Sequence, residues 1–257
     1  MPGGATIGGE TFGWNGGVDR SGVGPWGSFG GWRYEPGTAT ALETPAPWPL
    51  FPVRETEDVG VFLKRVVDVL LALPLLLLAL PLLAVAALLV RWTSSGPVFF
   101  LHTRKGRGED DFAVIKLRTM VQGAESRIDD VSGERSGPLF STVRDDPRVT
   151  RIGRILRRYS IDELPQLINV LRGEMSLVGP RPLVDGEVRR LPPRHRWARA
   201  GVRPGMTGLW QVSGRNDCPD EARLTLDRSY LDEWSLGLDL EILLRTIPAV
   251  LTGRGAN

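Results

Sequence analysis

The longest apolar run in the chain is Val69 to Val90, 22 residues without a charged or strongly polar side chain. A helix packed inside a soluble domain usually keeps a polar stripe, so a segment apolar on every face belongs in lipid. At a rise of about 1.5 Å per residue it just reaches across a hydrocarbon layer of about 30 Å. Pro74 and Pro81 each remove a backbone donor and press on the preceding turn. Their spacing places them on nearly one helix face, so their bends add. Lys64 and Arg65 flank the start of the run and Arg91 its end, and cations mark cytoplasmic flanks. Two topologies fit this pattern: a bent helix that enters and leaves on one side, and a kinked helix that spans.

Beyond the apolar run the periodicity changes. Val98–His102 and Phe112–Leu117 read as short strands, and the Gly106- and Gly108-bearing segment between them makes a β-hairpin. Residues 121–147 are polar and read as a helix turn and a loop. In "DPRVTRIGRILRRYS", Ile152, Ile155, Leu156 and Tyr159 recur at helical spacing, with Arg151, Arg154 and Arg158 on another face. Such a basic face suits solvent, lipid headgroups or phosphates. "LPQLINVLRGE" predicts a short helix closed near Gly173. "VRPGMTGLWQVSGRN" predicts loops and short strands. Two further helices are expected in "DEARLTLDRSYLDEW" and "LGLDLEILLRTIPAVLTG", the last one amphipathic and suited to a membrane interface.

Upstream, residues 1–60 contain 14 Gly and 7 Pro, a composition that predicts a disordered tail despite Trp14, Trp26, Trp32 and Trp48. No apolar core follows Met1, so the start does not read as a signal peptide. The resulting organisation is a tail over residues 1–61, a membrane helix over 62–92 and a soluble domain over 93–257, the candidate for any catalytic role. The fold class is α+β, mainly helical.

Charge and cysteine content narrow the chemistry. The net charge is +2, and only three of the 32 basic residues are Lys. A small cationic surplus in the C-terminal part suits anionic small molecules or a lipid surface better than nucleic acid, and Arg matches phosphate oxygens with its planar fork. Cys218 has no second cysteine to pair with, and His102 and His195 are the only histidines. A zinc site is thereby disfavoured, and a metal here is expected to be a hard cation on carboxylates, such as Mg²⁺.

The candidate chemistry is concentrated in "YSIDELPQLINVLRGEMSLVGPRP", residues 159–182. Ser160 and Glu163 have capping-box spacing, but a helix starting after Ser160 would carry Pro165 where its missing N–H costs a bond. A start at Asp162 puts Pro165 in the first turn, where it is tolerated. The alternative is catalytic. An enzyme that attacks a phosphoryl group needs a nucleophile, a cation to neutralise oxygens, and donors that hold the group in line. Asp162 can be the nucleophile and Glu163 can hold Mg²⁺. Arg157, Arg158 and Arg181 lie close in sequence, and Pro180 and Pro182 stiffen the backbone around Arg181.

"KRVVDVLLALPLLLLALPLL", "GPVFFLHTRKGRGEDDFAVIKLRTM", "DPRVTRIGRILRRYSIDELPQLINVLRGEMSLVGPRPL" and "VRPGMTGLWQVSGRN" together resemble the monotopic polyprenyl-phosphate phosphoglycosyl transferases, the bacterial sugar transferase family. The resemblance covers residues 62–253. It implies a re-entrant membrane helix that breaks at Pro81, where Leu80 replaces the serine common before that proline and Pro74 is an addition. It implies that Asp162 attacks the sugar-linked phosphorus of a UDP-sugar, releasing UMP. Glu163 would hold Mg²⁺, and polyprenyl (undecaprenyl) phosphate would then take the sugar phosphate. Lys116, Arg157 and Arg181 match phosphate-side positions, and Arg203 and Arg215 match nucleotide- or sugar-side ones. The implied location is the cytoplasmic face of the bacterial inner membrane, at the first membrane step of exopolysaccharide, capsule or O-antigen synthesis.

Other classes fit less well. A CDP-alcohol-type phosphotransferase needs several spanning helices and an Asp-rich motif. A P-loop kinase needs G-x-x-x-x-G-K-[ST], which is absent. A non-catalytic membrane adaptor is disfavoured by the intact Asp162, Glu163 and Arg181.

Overall fold

The computed structural model describes residues 4–7, 10–13, 57–124, 146–215 and 218–253. Within the tail, Gly4–Ile7 (β1) pairs antiparallel with Glu10–Gly13 (β2). The rest of the tail up to residue 56, and most of the expected loop at 121–147, lie outside the described residues.

Helix α1 spans Glu57–Thr93, five residues longer at its start than the expected membrane segment. It is helical throughout, including Pro74 and Pro81, so any change of direction at Pro81 is a bend within the helix and not a loop. α1 is long and apolar enough to cross a membrane. Most of its surface is exposed leucine and valine, yet one stripe docks on the rest of the chain. Asp68, Ala72, Leu76, Leu83, Ala86 and Val90 lie along that stripe at near-helical spacing. At the N-terminal end Lys64 Nζ lies 2.5 Å from Asp239 Oδ2, and Arg65 donates to the carbonyls of Val170 and Leu171. Asp68 accepts from Ser176 Oγ and Leu177 N at 3.1 and 2.9 Å. At the other end Arg118 donates to Ser94 O and Ser95 O. Both ends of α1 are therefore fastened to the same domain.

The hairpin is present, with β3 at Phe99–Lys105 and β4 at Asp111–Leu117. Its register sets Phe100 opposite Lys116 and Arg104 opposite Phe112. The outward face carries the exposed Phe99 and Leu101, while Phe100, His102 and Arg104 face inward. This inverts the usual soluble pattern because the interior of this hairpin borders a polar site.

Helix α2, Arg151–Arg158, is capped by Thr150, whose side chain accepts from Gly153 N. Of its expected apolar cluster, Leu156 is buried and Ile152 half-buried, but Ile155 and Tyr159 are exposed. The reason is Gly153. A Cβ there would lie 2.0 Å from Thr119 O, so the chains touch along Gly153 and Leu156 and turn Ile155 outward. A single 3₁₀ turn, Ile161–Glu163, follows, and α3 occupies Gln166–Arg172, ending at Gly173. Ser160 makes no side-chain cap and holds a left-handed φ of 53°, so the capping box does not form.

Strand β5, Ser176–Val178, pairs parallel with β6, Gly205–Thr207. The contact requires glycine at 205, since a Cβ there would sit 2.1 Å from Gly179 N. Between them run α4, Asp185–Arg190, and α5, Pro193–Ala200. Where loops and strands were expected after Thr207, Leu209–Ser213 forms a short helix, α6. It is nucleated by the Gly208 carbonyl, which accepts from Gln211 N and Val212 N, and anchored by buried Leu209 and Trp210. α7, Asp220–Asp232, and α8, Leu236–Thr252, complete the fold as expected. α8 exposes Leu240, Leu244, Ile247 and Leu251 along one side. The main core joins Val114, Leu167, Val170, Met175, Leu209, Leu226 and Ile242, and Ala72 of α1 belongs to it.

Candidate active site

Three elements converge on the acidic pair. The 3₁₀ turn between α2 and α3 carries Asp162 and Glu163. The end of β4 carries Lys116, and the segment after β5 carries Arg181. Their alignment depends on Asn169, fully buried on α3, which accepts from Ile115 N at 3.0 Å and donates to Ala113 O at 2.8 Å. One side chain thus locks the hairpin edge to the helix behind the carboxylates.

Lys116 Nζ donates to Glu163 Oε1 at 2.6 Å, and Arg181 Nη1 lies 3.8 Å from the same oxygen. Arg157, on the last turn of α2, donates through Nε to Thr119 Oγ1 at 2.9 Å. The neighbouring carboxylates experience different fields. Burial and the adjacent Glu163 charge push the Asp162 carboxyl up to about 6, with Lys116 and Arg157 only partly opposing. Burial also acts against Glu163, but Lys116, Arg181 and Arg215 outweigh it and hold that carboxyl down, at about 2. The two carboxyls are therefore pushed apart: Glu163 toward the ionised form and Asp162 toward the protonated one.

The pair opens onto a cavity of about 1240 Å³. Drug-sized pockets run to about 1,000 Å³, so this one has room for more than a single small ligand. Its lining includes the cations Lys116, Arg157, Arg181 and Arg215 together with the two carboxylates. It also includes apolar side chains: Leu75, Leu78, Ala79 and Leu82 from α1, and Leu243, Ala249 and Val250 from α8. Five of the expected site residues, Asp162, Glu163, Lys116, Arg157 and Arg181, are brought together, and Arg215 joins them. Arg203 does not. Its Nε donates to Gly173 O at 2.8 Å, and its charged neighbours are Arg65, Arg107 and Asp68. The lateral distance comes from the β5–β6 pairing, which directs residue 203 to the end of α3. Pro81 is not part of the cavity wall, although Leu82 is.

A chain with these motifs around such a site can be placed. Residues 59–253 match the family described as bacterial sugar transferase. The protein belongs to that family. Among its relatives is the exopolysaccharide production protein ExoY of Rhizobium meliloti, 40% identical over 221 residues that cover 81% of this chain and 95% of that protein. The UDP-glucose:undecaprenyl-phosphate glucose-1-phosphate transferase of Caulobacter vibrioides is 47% identical over 199 residues, 74% of this chain and 70% of its own. The undecaprenyl-phosphate galactose phosphotransferase of Salmonella typhimurium is 39% identical over 206 residues, but those are 42% of its length.

This sugar transferase also has cavity residues that motif reading passed over. His102 and Arg104 share the inward face of the hairpin with Lys116, so the period-2 rule applied from Lys116 would have found them. Burial and the nearby Arg104, Lys116 and Arg181 hold the His102 imidazole down at about 4, so it is neutral. Arg223 stacks over the Trp210 ring at 5.0 Å on another wall. Nothing in the sequence pairs those two, because the contact depends on how α6 meets α7.

Among the described residues no group of three or more His, Cys, Asp or Glu forms a metal cage. Mg²⁺ seldom needs one, since it is commonly held by one or two carboxylates together with substrate phosphates and water. Asp162 and Glu163 fit that donor set. The bond from Lys116 and the approach of Arg181 both fall on Glu163 Oε1.

Proposed function

We propose that the protein transfers a sugar 1-phosphate from a UDP-sugar to polyprenyl (undecaprenyl) phosphate, releasing UMP and forming a polyprenyl-diphosphate sugar. The observation that carries this reading is the divided acidic pair in a cavity lined by both cationic and apolar side chains. Phosphates fit the former and a lipid fits the latter. The names of the relatives, which include undecaprenyl-phosphate sugar phosphotransferases, support the same substrates.

In this reading an Asp162 carboxylate oxygen attacks the sugar-linked phosphorus. The bond from that phosphorus to the bridging oxygen breaks, and UMP leaves with the electron pair. A polyprenyl phosphate oxygen then attacks the phosphorus of the phospho-sugar aspartate, and Asp162 is restored as the free carboxylate. Arg157, Arg181 and Arg215 neutralise phosphate oxygens as charge redistributes, and Lys116 keeps Glu163 ionised and in place. Glu163 would hold Mg²⁺, and the chemistry that ion would supply is Lewis-acid polarisation of the phosphoryl group.

The attachment of both ends of α1 to one domain supports a re-entrant helix, with the catalytic domain on the cytoplasmic face of the bacterial inner membrane. A helix that spanned would have to release one of those attachments. The test is direct. Purified full-length protein is given UDP-sugars, Mg²⁺ and polyprenyl phosphate, and UMP and lipid-linked sugar are measured. The wild type yields both, and Asp162→Asn yields neither while remaining in the membrane fraction. Full turnover by Asp162→Asn overturns the assignment.

A further inference from the structure

Arg181 stands in a segment flanked by prolines, which lack backbone donors, so carbonyls are the main handles by which that backbone can be held. Four consecutive carbonyls are held. Pro180 O accepts from Gly205 N at 2.9 Å, Arg181 O from Arg199 Nη2, Pro182 O from Arg104 Nη1 at 3.2 Å, and Leu183 O from Lys105 N at 2.9 Å. Two of the four donors belong to the backbone of neighbouring strands or their ends. The other two are guanidinium groups.

We infer that Arg199 is a positioning residue, which sets the reach of Arg181 toward Glu163 by gripping the Arg181 carbonyl from behind the site. Arg199 is on α5 and is not part of the cavity wall. It therefore does not meet a ligand in the cavity. Its second arm is fixed by Asp227 on α7, and the two side chains are 11% and 6% exposed. The planar fork spans both acceptors at once, which a point ammonium does not do. A guanidinium held at one end by a buried carboxylate gives the carbonyl a donor that does not move. The Arg181 side chain then starts from a fixed backbone and ends 3.8 Å from Glu163 Oε1. Arg104 grips the next carbonyl, but it lines the cavity, so its effects mix positioning with contact. Arg199 isolates the positioning role.

The inference rests on the transferase reading for what Arg181 does, and a purely structural alternative exists: the Arg199–Asp227 pair could do no more than tie α5 to α7. A mutant cycle separates the two. Full-length Arg199→Lys, Arg181→Ala and the double variant are purified in detergent. Each is assayed for single-turnover UMP release from UDP-glucose or UDP-galactose, for affinity toward the same nucleotide sugar by calorimetry, and for melting temperature. Arg199→Lys keeps an ammonium for Asp227 and melts near the wild type. It slows UMP release by about ten- to a hundredfold, the scale of a small misplacement at a reacting centre. In the Arg181→Ala background the same change has no further effect on rate or affinity. Arg199→Gln, which keeps one amide donor but loses the planar fork, serves if Arg199→Lys does not fold and follows the same dependence. Effects that multiply across the cycle, or an Arg199→Lys enzyme at full rate, overturn the inference. If no variant and no wild type releases UMP, the transferase reading fails, and the affinity cycle still decides whether Arg199 acts through Arg181.

Discussion

Lys116 Nζ lies 2.6 Å from Glu163 Oε1, and through that contact the hairpin controls the ionisation of both carboxylates in the turn. Lys116 lowers the proton affinity of Glu163 directly and opposes the rise at Asp162. Substituting Lys116→Met removes the cation from both. Turnover is expected to fall by about a hundredfold or more, the usual loss for one electrostatic donor in a water-poor site. The acid limb of the pH–rate profile is expected to move to higher pH, because both carboxyls then hold their protons more strongly. A Lys116→Met enzyme with an unmoved acid limb contradicts this coupling.

The raised Asp162 proton affinity has a consequence for stability. The folded protein holds this proton up to about pH 6, against an ordinary value of 3.8, so the ionised form is disfavoured by folding. The cost is absent below pH 3.8 and fully present above pH 6. Metal-free Asp162→Asn is therefore expected to be more stable than the wild type at pH 8, by up to about 3 kcal/mol, since each unit of pKa is worth about 1.4 kcal/mol. The margin narrows as the pH falls from 6 toward 4. Thermal melts across that range check it, and an Asn variant that is less stable at pH 8 contradicts it.

Fastening of α1 at both ends predicts a cross-linking pattern in native membranes. Cysteine pairs replacing Lys64 with Asp239, and Ser95 with Arg118, are each expected to join through a short bis-maleimide. A spanning helix would leave one of the two pairs apart. Tags at the two ends of the membrane helix give the companion result, with both inaccessible from the periplasm.

Gly153 controls how closely α2 approaches Thr119, the hydroxyl partner of Arg157. Gly153→Ala places a Cβ against a backbone carbonyl that has little room to retreat. The expected cost is about 1–3 kcal/mol of overpacking, with loss of activity as Arg157 shifts. A melt paired with an activity assay reads both, and a variant unchanged in each contradicts the packing.

The sequence disclosed which elements form better than how they approach one another. The long apolar helix, the hairpin, α3 and the last two helices follow from the hydrophobic pattern because each has a continuous apolar run or stripe or a β-rich run of sufficient length. The short helix α6 did not, since five residues carry too little periodicity and its start depends on the Gly208 carbonyl. The outward turn of Ile155 was equally hidden. It is decided by a close approach at Gly153, which no helical wheel contains. Among site residues, Asp162 and Glu163 were legible as an unusual pair beside Pro165. Arg203 and Arg215 lie in one Gly-rich stretch of sequence, but the β5–β6 pairing holds the segment before β6 beside Gly173, whereas Arg215, beyond α6, lines the cavity. His102 and Arg104 were legible in principle, through their two-residue alternation across from Lys116.

The central claim is that Asp162 becomes covalently bonded to the phospho-sugar. Intact-protein mass spectrometry after incubation with UDP-sugar and Mg²⁺, without lipid acceptor, tests it most directly. The account predicts a mass increase equal to one sugar phosphate, matched by one UMP released, mapped to Asp162 and discharged on adding polyprenyl phosphate. UMP release with no adduct, or an adduct that persists in Asp162→Asn, contradicts it.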